Sequence, residues 1–277
     1  MFCTKDGGKT WGESQPLPSQ IGVGGMIRLE SGELAAYGRK TSQGAGLFEY
    51  FFSSSADEGK TWSEPQQIAT NYYCSSPVRQ LSDGRLILGL YAEQDGRGWG
   101  AVTISDDDGA NWGNVIDIDN NGMPLDAETD IIELKNGDLF AAERGRGETM
   151  AWSASKDRGL TWSVSEPFGF PGHCPYLLRA AGDIILMAHR LPATSLHYSL
   201  DECATWSENV PVDSVGGAYP SMVNLDDGSV LIVYYEEAVS YTHLRAHETV
   251  LDLVCRLLLE KKKNQHHTQE SPPASDI

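Results

Sequence analysis

Two residues of reactive type, Glu128 and Tyr219, occupy equivalent places in a repeated pattern of the sequence. Each lies nine residues before the glycine of a predicted hairpin turn, where Val23, Ser75 and His173 stand in the other repeats. A phenol has an ordinary pKa of about 10 and is a weak nucleophile at neutral pH, but a hydrogen-bonded carboxylate can act as its base. The pair therefore predicts nucleophilic catalysis if the two side chains meet. The structural alternatives are that Tyr219 caps a strand and that Glu128 is a solvated loop acid.

Five copies of the pattern Ser/Thr-x-Asp-x-Gly-x-Thr-Trp, here called Asp boxes, organise the chain. Their aspartates follow one another at intervals of 51, 50, 50 and 44 residues, which is typical of propeller repeats. We expect each Asp to accept hydrogen bonds from backbone N–H groups, each Gly to supply a positive φ and each Trp to pack the turn onto its sheet. Since five equivalent turns around a ring cannot meet at one site, these aspartates are interpreted as structural. The boxes span residues 4–11, 55–62, 105–112, 155–162 and 199–206, with Asn111 replacing Thr in the third and Cys203 replacing Gly in the fifth.

Predicted strand hairpins alternate with the boxes, each consisting of an apolar run, a turn ending in Gly and a second apolar run. A hairpin and the two strands joined by a box make four strands, which is one propeller blade. The pattern predicts an all-β, six-bladed β-propeller that lacks the N-terminal half of blade one and the C-terminal half of blade six. The hairpins span residues 26–38, 78–90, 131–142, 177–188 and 222–234.

The repeat pattern stops near residue 238, which divides the chain into a propeller at 1–238 and a tail at 239–277. Residues 240–260 carry apolar side chains at helical spacing, and a lysine run and a polar end follow. We expect a helical or disordered tail. Its sequence resembles translated sequencing-adapter read-through, and the alternative is a native terminal helix.

Composition excludes several classes of protein. The net charge is −18, which argues against a nucleic-acid partner, and an anionic ligand would require a local cluster of arginines. No stretch of eighteen apolar residues is present to span a membrane. The five cysteines show no metal-ligand spacing, so we expect neither a metal site nor a cofactor.

Two segments resemble the sialidase (neuraminidase) family. AETDIIEL at 127–134, followed by Arg144, is similar to a family segment in which an arginine follows a glutamate by about sixteen residues. GAYPSM at 217–222, followed by Tyr235-Glu236, is similar to the segment that carries the family's nucleophilic tyrosine. The resemblance covers residues 1–238.

This resemblance implies an exo-α-sialidase that removes terminal sialic acids from glycans with retention of configuration. Tyr219 would be the nucleophile and Glu128 its base, because a carboxylate nucleophile would approach the sugar's own carboxylate against like charge. Arg144 and Arg190 would bind the substrate carboxylate, and His173 its hydroxyl groups. Residues Arg39, Arg79 and Arg146 are alternative arginines that we expect to be ordinary exposed or blade-bridging side chains.

The family's first arginine and its aspartate acid/base would precede the first Asp box, hence residue 1. We therefore expect the chain to be inactive on natural sialosides by itself. The alternatives are another propeller glycoside hydrolase and a non-catalytic glycan-binding propeller, since one fold hosts many chemistries. The resemblance slightly favours a secreted or periplasmic location.

Overall fold

The computed structural model describes residues 3–4, 6, 9–18, 21–40, 49–147, 149–214, 217–236 and 243–247. These residues form antiparallel β-strands with one short 3-10 turn at Ala181–Asp183. The chain folds as an all-β propeller whose strands pair in sequence order, as the repeat pattern predicts. No helix in the described ranges is long and apolar enough to cross a membrane.

Four complete blades follow one another along the chain, numbered here from two to five to match the predicted ring. Blade two contains β1 (Gly22–Arg28), β2 (Leu34–Lys40), β3 (Glu49–Ser55) and β4 (Gln66–Thr70). Blade three contains β5 (Val78–Gln80), β6 (Leu86–Gln94), β7 (Arg97–Ser105) and β8 (Ile116–Asp117). Blade four contains β9 (Leu125–Glu133), β10 (Leu139–Gly145), β11 (Ala151–Ser155) and β12 (Glu166–Pro167). Blade five contains β13 (His173–Arg179), β14 (Ile185–Arg190), β15 (Ser195–Ser199) and β16 (Val210–Pro211).

Blade six differs from the prediction. Its hairpin, β17 (Gly217–Asn224) and β18 (Val230–Glu236), lies where the sequence predicts it, but β19 (His243–His247) pairs with β18 as a third strand. The expectation of a helical or disordered segment from residue 240 is therefore wrong for 243–247, because β18 offers an unpaired strand edge that this segment covers. The helically spaced positions at 250–258 lie outside the described residues.

The core lies between blades and follows the two-residue period of the strands. In β6, Leu86 and Leu88 pack in the cluster that holds Phe52 of blade two, whereas Ile87 packs in the cluster that holds Leu139 of blade four. The side chains of Leu86, Ile87 and Leu88 are all fully buried. Each blade thus presents one apolar face to each neighbour, which holds the inner strands in a fixed order.

The Asp boxes form the predicted turns. In the second box, Thr61 donates its backbone N–H and its hydroxyl to the two carboxylate oxygens of Asp57 at 2.8 and 2.6 Å. These hydrogen bonds lower the pKa of Asp57 to about 2. Trp11 of the first box is an exception to the predicted packing, because 59% of it is exposed.

Candidate active site

The inner strands of blades four, five and six bring together three residues that occupy the same position in their blades. The hydrogen bonds of the hairpin turns identify that position. The backbone N–H groups of Leu134, Ala180 and Leu225 each donate to the carbonyl four residues ahead. Counting from these donors makes Glu128, Cys174 and Tyr219 equivalent. The expectation that His173 occupies this position is wrong by one residue, because Asp183 (φ 64°), not Gly182, matches Gly137 (φ 86°) in the turn.

Each of these inner strands is irregular at the same end. The pairing register shifts where the first residues of β9, β13 and β17 meet their partner strands. Ala127, Cys174 and Tyr219 have positive φ values of 57°, 53° and 49°, a region that costs a non-glycine residue of the order of 1 kcal/mol or more. Such strain, repeated at one end of three neighbouring blades, is typical of a functional site.

Tyr219 and Glu128 meet directly. The Tyr219 hydroxyl donates a hydrogen bond to Glu128 Oε1 at 2.9 Å, and the two residues are 91 positions apart in the chain. Glu128 is 1% exposed and Tyr219 is 44% exposed, so the phenol faces solvent while the carboxylate lies beneath it. Burial and the charge of Glu128 raise the pKa of Tyr219 above its ordinary value. The carboxylate is therefore placed to take the phenolic proton, and the phenol to attack a bound group.

Arg144 binds the same carboxylate from β10. Its Nη1 lies 3.1 Å from Glu128 Oε1, and its Nη2 lies 3.2 Å from Asp126 Oδ2. Arg146 donates its Nε–H to the other Asp126 oxygen at 2.7 Å. The structure thus brings Arg144 to Glu128 and Tyr219, and it places Arg146 one step further from the phenol.

His173 and Arg190 are directly opposite each other on the paired strands β13 and β14. Burial and the positive charges of Arg144 and Arg190 lower the pKa of His173, which favours a neutral imidazole at pH 7. Both residues therefore lie at the same end of blade five as Cys174, and His173 interacts electrostatically with Arg144 and Arg190.

Cys174 is the site residue that the sequence reasoning missed. It is 4% exposed, and burial and the neighbouring Glu128 raise the pKa of its thiol to about 12, so the thiol is neutral. The backbone N–H of Tyr219 also interacts with its sulfur. Counting six residues back from the Ala180 backbone donor, which only the structure identifies, gives Cys174.

Arg79 has a structural role. Its guanidinium binds both carboxylate oxygens of the fully buried Asp130 at 3.1 and 2.5 Å, and it donates to the Leu177 carbonyl at 2.6 Å. It therefore joins blades three, four and five, as a blade-bridging arginine should. Arg39 lies in β2 of blade two and pairs with Gly22.

No group of three or more His, Cys, Asp or Glu side chains among the described residues could hold a metal ion. Two larger cavities in the described part of the chain are not lined by Tyr219. One, of about 790 Å³, lies beside the β6–β7 hairpin. The other, of about 540 Å³, lies between blades four and five and is lined by aromatic residues that include Trp152 and Trp206.

Comparison with known proteins settles the family. Residues 5–173 match the model of the BNR repeat-like domain family. The chain belongs to this family. The matched part of the BNR repeat-like domain contains Glu128 and Arg144, whereas Tyr219 lies beyond it. No curated protein sequence matches the chain.

Solved structures share the fold of this BNR repeat-like protein. A protein of unknown function from Dyadobacter fermentans is 22% identical, with a TM-score of 0.69 over 88% of this chain and 81% of the other. The intramolecular trans-sialidase of Ruminococcus gnavus is 22% identical, with a TM-score of 0.59 over 74% of this chain, which spans 51% of that protein's length. The alpha-L-arabinanase of Penicillium chrysogenum is 15% identical, with a TM-score of 0.69 over 89% and 84% of the two chains.

Proposed function

We propose that this BNR repeat-like protein is a retaining glycoside hydrolase of the exo-α-sialidase type. The observation that carries the proposal is the 2.9 Å hydrogen bond from the Tyr219 hydroxyl to Glu128 Oε1. Glu128 accepts the phenolic proton while the Tyr219 oxygen attacks the anomeric carbon, and the glycosidic bond breaks with its electron pair on the leaving oxygen, which an activated aryl glycoside releases as an anion. Water then attacks the anomeric carbon and loses a proton to solvent, the tyrosyl–sugar bond breaks, and the Tyr219 oxygen regains its proton from Glu128. The two inversions give retention.

The charges around the phenol support an anionic sugar as substrate. Sialic acid carries a carboxylate on its anomeric carbon, so a neutral phenol approaches that carbon without the repulsion that a carboxylate nucleophile would meet. The Arg144 side chain is 18% exposed and contacts both Glu128 and Asp126. We propose that Arg144 and Arg190 bind the substrate carboxylate, because a planar guanidinium matches a carboxylate with two parallel hydrogen bonds. His173 contributes hydrogen bonds to sugar hydroxyls.

A second candidate is hydrolysis of arabinose-containing glycans, favoured by the backbone likeness to the Penicillium arabinanase, which has a higher TM-score than the trans-sialidase. Glycosidases that act on neutral sugars ordinarily use two carboxyl groups, one as acid and one as nucleophile or base. Here the two carboxyl groups Asp126 and Glu128 both contact the Arg144 guanidinium. This arrangement supports the phenol as nucleophile over a second carboxylate.

Hydrolysis of two activated aryl glycosides tests the proposal. An aryl α-sialoside and an aryl α-L-arabinofuranoside have leaving groups that depart with little help from an acid. We expect release of the aryl group from the sialoside alone, with α-sialic acid as the first product in proton NMR, and loss of this turnover in Tyr219→Phe.

Tyr198→Phe is the matched control, because Tyr198 is buried in the core between blades five and six. Turnover of the arabinofuranoside alone would replace the sialidase proposal with the second candidate. Binding of sialic acid without turnover of either glycoside would indicate a glycan-binding propeller.

A further inference from the structure

The cavity beside the β6–β7 hairpin is on the same end of the propeller as Tyr219. Gly98 at the start of β7 pairs with Leu125, three residues before Glu128 in β9. The Asp box of blade three begins at Ser105, at the far end of β7. The hairpin tip, Asp95-Gly96, therefore lies at the catalytic end of blade three and the box at the opposite end.

A continuous chain of contacts connects this hairpin to the catalytic pair. Glu128 contacts Arg144, which contacts Asp126, and Asp126 accepts from Arg146 Nε at 2.7 Å. Arg146 Nη1 in turn donates to the Gly96 carbonyl at 2.7 Å. These contacts hold the β6–β7 hairpin, which forms one wall of the cavity, in a fixed position relative to Glu128.

The cavity is built from ordered elements. Asp95 and Gly96 both have positive φ (52° and 76°), as in a tight two-residue hairpin turn. Asn120 on the opposite wall donates to the Gly98 carbonyl at 2.6 Å and accepts from the Gly122 N–H at 3.0 Å. Its volume of about 790 Å³ falls within the roughly 300–1,000 Å³ of small-molecule sites.

The side chains that line the cavity have the chemistry of a sugar site. Trp99 offers part of an indole ring, whose electron-rich face attracts the polarised C–H groups of a pyranose. Carboxylates accept strong hydrogen bonds from hydroxyl groups. The charged lining residues are three acids and one base, so the cavity repels an anionic sugar. They are Asp95, Asp117, Asp119 and Arg97.

We infer that this cavity binds a neutral sugar residue of the glycan that carries the scissile sialic acid. This inference deepens the proposed function and rests on it, because the two sites would bind differently charged residues of the same glycan. The anionic residue binds at the arginines beside Tyr219, and a neutral residue stacks on Trp99.

Ligand-observed NMR with lactose as the neutral probe tests the cavity by itself. Wild-type protein and Tyr219→Phe are expected to bind lactose equally. Trp99→Ala is expected to bind it about tenfold more weakly, which corresponds to about 1.4 kcal/mol. Trp99→Phe, which keeps a flat ring, should recover most of the affinity.

Trp206→Ala in the aromatic cavity is the matched control, and thermal melting checks that each variant is folded. Lactose binding that is lost in Trp206→Ala and kept in Trp99→Ala would overturn the inference, as would no lactose binding by the wild type. Aryl sialoside turnover separates the two proposals. Trp99-dependent lactose binding without turnover leaves the neutral site standing and removes the sialidase, whereas turnover with Trp99-independent or absent lactose binding does the reverse.

Discussion

Replacing Glu128 with glutamine asks whether the buried carboxylate takes the proton of Tyr219. Glutamine keeps the size of the side chain and an oxygen that can accept the phenolic hydrogen bond, now 2.9 Å long, but it is not a base. Loss of a general base slows reactions by about 10²- to 10⁴-fold. We therefore expect kcat for the aryl sialoside at pH 7 to fall by about that factor in Glu128→Gln.

The pH dependence of the variant distinguishes loss of a base from general damage. Burial raises the pKa of Tyr219 and so does the charge of Glu128, so removing that charge moves the phenol's pKa back toward its ordinary value of 10.0. Without a base only the ionised phenol attacks, and its fraction rises about tenfold for each pH unit below that pKa. The rate of Glu128→Gln should rise with this slope between about pH 7 and 9, while the wild-type rate should be much flatter.

Glu133→Gln is the control for this experiment. Glu133 ends the same strand, β9, and binds the Ser82 backbone N–H at 2.6 Å together with Arg158, far from the phenol. Its substitution should lower stability and leave the aryl sialoside rate unchanged. A Glu128→Gln protein with the wild-type rate at pH 7, or with a rate that does not rise with pH, would refute the assignment of Glu128 as base.

Four further outcomes follow from the same contacts. Arg144→Lys replaces the paired hydrogen bonds of a guanidinium with one from an ammonium, and the lost bond to a charged group is worth about 1.5–3 kcal/mol, so calorimetry should show the Kd of a 2,3-dehydro sialic acid inhibitor rising about 10- to 100-fold. Cys174→Val should lower kcat about fivefold and leave KM unchanged, with rescue by Cys174→Ser, because the lost polar neighbour of Glu128 is worth about 1 kcal/mol. Asp130→Ala leaves the half-buried guanidinium of Arg79 without its carboxylate partner, and urea unfolding should show a loss of about 3 kcal/mol, at the lower end of the range for buried pairs because the Arg79 side chain is 20% exposed. The lowered pKa of Asp57 contributes stability that is complete above pH 3.8 and is lost as the pH falls to about 2, so thermal melting of Asp57→Asn should show a weaker dependence on pH in that range than the wild type.

The sequence predicts the propeller and the meeting of Glu128 and Tyr219 because these features depend on periodicity, whereas Arg144 was expected only from the resemblance of its segment to the sialidase family. Five boxes at a nearly constant interval determine the blade length, and an equal offset from each hairpin places Glu128 and Tyr219 at the same end. Convergence then follows from the closed geometry of the fold, without knowledge of any contact.

The features that the sequence did not predict depend on local geometry. Cys174 was missed because Asp183 occupies the left-handed turn position that glycine holds in blades four and six. Strand β19 was missed because its residues precede the helically spaced positions at 250–258 and carry no strand pattern of their own, and pairing with the edge of β18 determines their structure. The cavity at Trp99 combines residues from a hairpin tip and a following loop, and no repeat signals that pairing.

The most direct measurement of the central claim is the site of covalent attachment of a sugar. 2,3-Difluorosialic acid loses its anomeric fluoride to a nucleophile without help from an acid, and the second fluorine slows the step that follows. Peptide mapping by mass spectrometry of the treated protein should find the fluorosialyl group on the Tyr219 oxygen, and at pH 7 the same group should form about 10²- to 10⁴-fold more slowly in Glu128→Gln. Attachment to Glu128, Asp126 or any other residue would contradict the account.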